Sequence, residues 1–198
     1  KQFVEAGGKP VISYCLQTFE QCADIDLICV VIAEEYRGNL GGFLFADPGK
    51  SRQHSIYNGL LFLKQYAPDR VVVHDAARPL VTGADISGVI SASLTWDGAT
   101  PVLPVTDTTY QSIDGKMITT TLNRDELFAG QTPECYDFKK YLAIHERLSD
   151  EELSAVRGSS EIAVSFGMQI ALAKGNERNF KITTNADLER FRAIVEGR

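Results

Sequence analysis

Short apolar runs separated by segments of helical period constrain this chain more than any single motif. Leu27-Ile28-Cys29-Val30-Val31-Ile32 is a continuous apolar run of strand length, and Val71-Val72-Val73-His74 and Pro101 to Val105 repeat the type. Before and between them, apolar residues recur at helical spacing, as with Val11, Cys15, Leu16 and Phe19 after Pro10. The pattern predicts helices near residues 10–22, 51–66, 83–94, 137–148 and 186–196, and strands near 27–32, 43–46, 71–74, 101–105, 169–173 and 180–182. Strands buried on both faces and alternating with helices imply an α/β domain with a doubly wound, mostly parallel sheet.

The alternation breaks between about Thr106 and Glu134, where β-prone runs flank Asp114-Gly115, a strong hairpin signal. A hairpin projecting from an α/β sheet is suited to clasping a second subunit. We therefore expect one domain over residues 1–198 with an arm at about 107–133. A net charge of -6 denies the chain a global basic field, so nucleic acid is not an expected partner and any anionic ligand needs a local pocket. No apolar run approaches the roughly 20 residues that span a bilayer. Cys15, Cys22, Cys29 and Cys135 form no C-x-x-C pair and no metal-ligand spacing. They read as reduced thiols of a cytoplasmic protein, although targeting of the parent chain stays open because the sequence begins at Lys1.

Pro48-Gly49-Lys50-Ser51 ends like a phosphate loop but has Leu44 where that motif needs glycine, so it is rejected. Arg52 and Ser55 share the first turn of the helix that follows, where a nucleotide contact competes with an ordinary capped helix. His74-Asp75-Ala76-Ala77-Arg78-Pro79 follows a central strand, where α/β sheets place their ligands. An internal Asp75–Arg78 ion pair is the plain alternative there, and His74 reads as a core or capping residue. Asp107-Thr108, Arg124, Thr132 and Lys181 acquire meaning only if the fold makes them converge.

Lys1-Gln2-Phe3 with Gly7-Gly8-Lys9-Pro10, Gly49-x-x-Arg52-x-x-Ser55-Ile56, the His74 to Pro79 block, Asp107-Thr108, Arg124-x-x-Leu127, Gln131-Thr132-Pro133 and Asn179-Phe180-Lys181-Ile182-Thr183 occur in order along nearly the whole chain. Together they resemble the 2-C-methyl-D-erythritol 4-phosphate cytidylyltransferases; the ribitol-5-phosphate cytidylyltransferases share most of them. The resemblance implies a Rossmann-like nucleotidyltransferase fold that transfers CMP from CTP to the polyol phosphate and releases pyrophosphate. Mg²⁺ would be held mainly by the CTP phosphates, with no protein metal site.

By the same resemblance, Lys1 and Lys181 are catalytic, and Gly49, Ser55, Asp75 and Ala76 bind CTP. Arg78, Thr108, Arg124 and Thr132 bind the polyol phosphate, and the arm crosses to a partner in a homodimer. The family's first strand and glycine-rich loop would precede Lys1. Pro48 stands where a glycine is expected, Tyr110 where a lysine is usual, and Ser159-Ser160-Glu161 where the family shows T-D-D, so no role is carried onto those three last positions. The alternatives are the ribitol phosphate enzyme and a catalytically inactive CTP-binding homologue.

Overall fold

The computed structural model describes residues 2–197, with Asn39 described by its backbone alone. Strands β1 (Glu5–Ala6) and β2 (Lys9–Pro10) form a hairpin closed by Gly7 and Gly8, both at positive φ. A two-residue turn with positive φ at both positions favours glycine because a Cβ is strained there. Helix α1 (Val11–Glu20) follows, then β3 (Cys29–Val31), β4 (Leu44–Ala46), α2 (Arg52–Leu63), β5 (Arg70–Val73), α3 (Gly83–Ser93) and β6 (Gly98–Pro104). The arm carries β7 (Tyr110–Gln111) and β8 (Thr120–Thr121), and β9 (Phe128–Gly130) and β10 (Glu134–Asp137) lead back into the sheet. Helices α4 (Phe138–His145), α5 (Asp150–Ala155) and α6 (Ser159–Ser165), strand β11 (Ile170–Lys174) and helix α7 (Asn185–Glu196) complete the chain.

The central sheet has the order β11-β6-β10-β5, with β9 also on β6. It is mixed, which corrects the expectation of a mostly parallel sheet. β11 runs parallel to β6, while β10 is antiparallel to both β6 and β5, and β9 is antiparallel to β6. The reason is connectivity: the arm returns the chain antiparallel along β6, and too few residues separate β9 from β10 for the long crossover a parallel return requires. β3 and β4 pair in parallel as a separate two-stranded sheet, and an apolar cavity of about 670 Å³ lies between β3 and β5.

Helices cover both faces. Cys135 packs with Val89 of α3 and Ala99, whereas its neighbour Tyr136 packs with Tyr141 and Leu142 of α4 and Ile162 of α6, as strand alternation demands. The anticipated face of α1, with Val11, Cys15, Leu16 and Phe19, is buried. Residues 180–182, expected as a strand, are a loop. Its backbone bonds go elsewhere: the Ile182 N–H donates to the Ala77 carbonyl at 2.8 Å.

The arm is a hairpin, but residues 128–130 belong to the central sheet, so the projecting part is shorter than residues 107–133. Its tip is an eight-residue loop in which Asp114 accepts hydrogen bonds from the backbones of Lys116 and Met117, with Gly115 at φ 71°. The four cysteines are free thiols. Among the described residues no helix is long and apolar enough to cross a membrane.

Candidate functional site

Three pieces of chain meet beyond the carboxyl end of β5. The first is the start of α2, where Ser51 caps the helix by accepting from the His54 N–H. Gly49 must be glycine: an added Cβ would stand 2.3 Å from the Cβ of His54. The Gly49 N–H donates to Ser55 Oγ at 3.0 Å, and that hydroxyl donates to the Ser51 carbonyl at 3.0 Å. The Ser55 hydroxyl is therefore committed to shaping the turn.

The second piece is His74 to Arg78. Asp75 accepts from Arg52 Nε at 2.9 Å, and its other oxygen lies 2.7 Å from Lys181 Nζ. Burial alone would raise the Asp75 carboxyl, but Arg52 and Lys181 outweigh it and hold it below the usual carboxylate range. The possible Asp75–Arg78 ion pair is not formed. Arg78 instead donates from Nη1 to the Asn179 carbonyl at 2.7 Å, and only its backbone N–H bonds the Asp75 carbonyl.

His74 is the core residue expected: Nε2 lies 3.1 Å from the Arg78 carbonyl and Nδ1 lies 3.1 Å from Thr132 Oγ1. The neutral tautomer protonated on Nε2 satisfies both contacts, with the Thr132 hydroxyl donating to Nδ1. Burial pushes its pKa down to about 4. Such a histidine stays neutral in the fold while the unfolded chain takes up a proton below about pH 6.5, so stability falls as pH drops through that window. We expect the unfolding free energy to decline by about 2 kcal/mol between pH 6.5 and 4. Urea titrations of wild type and His74→Gln check this, and an equal decline in the variant would discount His74.

The third piece is the segment between β9 and β10. Two residues of β6, Thr100 and Pro101, face the four residues 131–134, so the strand bulges there. The bulge turns Thr132 toward β5, where its hydroxyl accepts from the Asp75 N–H at 3.1 Å. Asn179, buried, donates to the Thr132 carbonyl at 2.8 Å and anchors the loop that presents Lys181.

The fold thus brings Gly49, Ser55, Asp75, Ala76, Arg78, Thr132 and Lys181 together with Arg52; Arg52, Ser55, Asp75 and Ala76 line the 670 Å³ cavity. Thr132 and Ser55 enter as residues that build the site, with hydroxyls already engaged. Thr108 and Arg124 lie on the arm, where Arg124 Nη1 donates to the Thr106 carbonyl at 3.0 Å, and no hydrogen bond or ion pair ties either to the pocket among the described residues. Lys1 lies outside the described residues.

On the sequence alone Arg52 is a nucleotide contact in competition with an ordinary capped helix, and residues 159–161 carry no role. The structure makes Arg52 the hub: Nη1 donates to Ser159 Oγ at 2.6 Å while the rest of the guanidinium holds Asp75. The only sequence signal for this was the three-residue spacing of Arg52 and Ser55.

Cations gathered at a helix start beyond the carboxyl end of a sheet strand give an α/β domain a local positive field of the kind that suits an anionic ligand. Residues 1–197 match the model of the 2-C-methyl-D-erythritol 4-phosphate cytidylyltransferase family, and the chain belongs to that family. It is 34% identical over 204 residues to a bifunctional IspD/IspF enzyme of Paramagnetospirillum magneticum, covering 100% of this chain and 52% of the relative. Against the 2-C-methyl-D-erythritol 4-phosphate cytidylyltransferase of Halalkalibacterium halodurans it is 31% identical, covering 98% of this chain and 88% of that protein. The crystal structure of the enzyme of that name from Thermus thermophilus superposes with a TM-score of 0.84 at 26% identity, covering 99% of this chain and 94% of the other. The chain spans about half the length of the bifunctional relatives.

Proposed function

We propose that this chain transfers the cytidylyl group of CTP to 2-C-methyl-D-erythritol 4-phosphate, giving 4-diphosphocytidyl-2-C-methyl-D-erythritol and pyrophosphate. The observation that carries this reading is the Arg52–Asp75–Lys181 cluster, in a member of this family, at the end of β5. A phosphate oxygen of the polyol substrate attacks the α-phosphorus of CTP, and the bond to the β-phosphate oxygen breaks as pyrophosphate leaves. No protein nucleophile is needed, so the protein's work is alignment and stabilisation of charge on the transferring phosphoryl group.

Lys181 supplies a cation on a loop pinned by Asn179 and Ile182, and Lys1 would supply a second. Gly49, Ser55, Asp75 and Ala76 form the CTP side of the pocket, with Ser55 acting by holding the Gly49 turn. Arg78, Thr132, Thr108 and Arg124 serve the polyol phosphate, Thr132 by fixing the Asp75 backbone.

Mg²⁺ usually needs few protein oxygens when phosphates surround it. The pocket suits that: Asp75 offers a carboxylate already engaged by two cations, so the triphosphate would carry most of the coordination. When bound, the ion would neutralise charge developing on the phosphates.

We further propose that residues 1–198 form one domain of a cytoplasmic homodimer, in which the arm brings Thr108 and Arg124 to the neighbour's pocket. The tip of the arm exposes Tyr110, Ile113, Met117 and Ile118, Ile113 by 85%, which is apolar surface that a second copy would cover. Mixing Arg124→Ala subunits with Lys181→Ala subunits tests this: activity regained to about a quarter of wild type is expected for shared sites, and none regained means that each pocket is complete within one chain.

The reaction itself is tested by pyrophosphate release from CTP with methylerythritol 4-phosphate and, separately, with ribitol 5-phosphate. Release with the first alone is expected. Release with ribitol 5-phosphate alone would replace the substrate, and CTP binding without turnover on either would make the chain a binding module.

A further inference from the structure

Beneath the cation cluster sits a second carboxylate that the mechanism has not used. Glu134 is the first residue of β10, alternates with Cys135 onto the same face as Tyr136, and is only 7% exposed. Its Oε1 accepts from Ser160 Oγ at 2.7 Å and from Thr100 Oγ1 at 3.4 Å. Ser160 also lies 2.9 Å from the Tyr136 hydroxyl. Among the described residues no lysine or arginine forms an ion pair with Glu134. A buried carboxylate without a contacting cation is costly unless cations nearby compensate it. Arg52 is the cation near it: its guanidinium reaches Ser159, the neighbour of the Ser160 that serves Glu134, and the Glu134 charge favours the protonated form of Arg52.

The two carboxylates divide the work unevenly. Asp75 touches Arg52 and Lys181 directly and has to yield part of those contacts when an anion arrives. Glu134 stands one hydrogen bond behind the N-terminal serines of α6, of which Ser159 receives Arg52 and Ser160 serves Glu134. Its hydrogen bonds therefore lie one residue behind those of the pocket itself. We propose that Glu134 is a positioning residue, a fixed counter-charge that limits how tightly Arg52 binds an anionic ligand and so allows product to leave.

The inference rests on the reading of the pocket as a phosphate site, and inorganic pyrophosphate is the probe. Glu134→Gln keeps the size and an acceptor oxygen for Ser160 while removing the charge. Calorimetry should show pyrophosphate binding about threefold or more tighter than to wild type, the direction Coulomb's law gives for losing a nearby negative charge. In steady-state turnover KM for CTP should fall together with kcat, because release slows. Damage to packing alone would raise KM rather than lower it. Adding Ser160→Asp to Glu134→Gln returns a carboxylate next door and should restore wild-type affinity and kcat.

Should Glu134→Gln not fold, Ser160→Lys neutralises the same charge from the neighbouring position and should tighten binding likewise. Unchanged or weaker pyrophosphate binding in the charge-neutralised variant overturns the proposal, as does failure of the folded double variant to restore affinity. Pyrophosphate binding to neither wild type nor variant removes the proposal and the phosphate-site reading together.

Discussion

Lys181→Ala should lower turnover by at least about 10²-fold while leaving the thermal unfolding midpoint within a few degrees of wild type. The size follows from the loss of one preorganised charge contact to the transition state, which is worth about 3 kcal/mol. The small effect on stability follows from exposure: the Lys181 side chain is 40% exposed, and its partner Asp75 keeps Arg52. The loop is held by neighbours rather than by the lysine, through the Asn179 side chain on one side and the Ile182 backbone on the other. Single-turnover rates with saturating CTP and polyol phosphate separate chemistry from binding. A variant that turns over at the wild-type rate would remove Lys181 from the reaction, and one that unfolds would show that the Asp75 contact is structural first.

Asp75→Ala should fail in the opposite way, through stability as much as activity. The carboxylate is the shared partner of two cations and is largely buried, so removing it leaves Arg52 and Lys181 without the one group that pairs with both. Breaking a buried pair from one side costs about 3–5 kcal/mol, and the partial exposure of both cations puts the expected loss near the lower figure, about 3 kcal/mol at pH 7. The pH dependence has a definite sign. A carboxyl held below its ordinary value in the fold contributes stability that is present above its unfolded pKa and is lost as pH falls through its folded pKa. The gap between wild type and Asp75→Ala should therefore narrow in strong acid, below the window assigned to His74. Urea unfolding at pH 7 and at pH 3 measures it; a gap equal at both pH values would mean that the ionised carboxylate does not account for the loss.

Much of the fold is legible in the chain because the signals are local. The run from Leu27 to Ile32 yields β3, and the apolar stripe of α1 is read from four residues. Asp114-Gly115 marks the arm, although the tip is a longer loop ordered by the Asp114 side chain rather than a two-residue turn. What escapes is what depends on distant partners. β10 has four residues, and its short run Cys135-Tyr136 reads equally well as the approach to α4; only pairing with β5 and β6 makes it a strand. Phe180 and Ile182 have strand-like side chains, yet the backbone there serves Ala77 and supports Lys181.

The site divides in the same manner. Residues 74–78 announce themselves by following a strand, whereas Ser159 becomes a partner of Arg52 only through a contact 107 positions away in sequence. The resemblance implies ligand contacts at Thr132 and Ser55, a part that a free hydroxyl would suit. Their hydroxyls turn out to be occupied by the Asp75 N–H and the Gly49 N–H, so both hold backbone at the pocket.

The bulge at residues 131–134 has a consequence for the order of folding. The local turn bond from Arg78 holds only the Asp75 carbonyl: the Asp75 N–H waits for Thr132, and Thr132 in turn is clasped by Asn179. Contacts that span so much chain carry a high loop-closure cost and form after local ones. Helices α1, α2 and α3 can therefore consolidate first, while the pocket becomes competent only when the last third of the polypeptide docks. A chain emerging from the ribosome would acquire most of its bulk before it could hold a ligand.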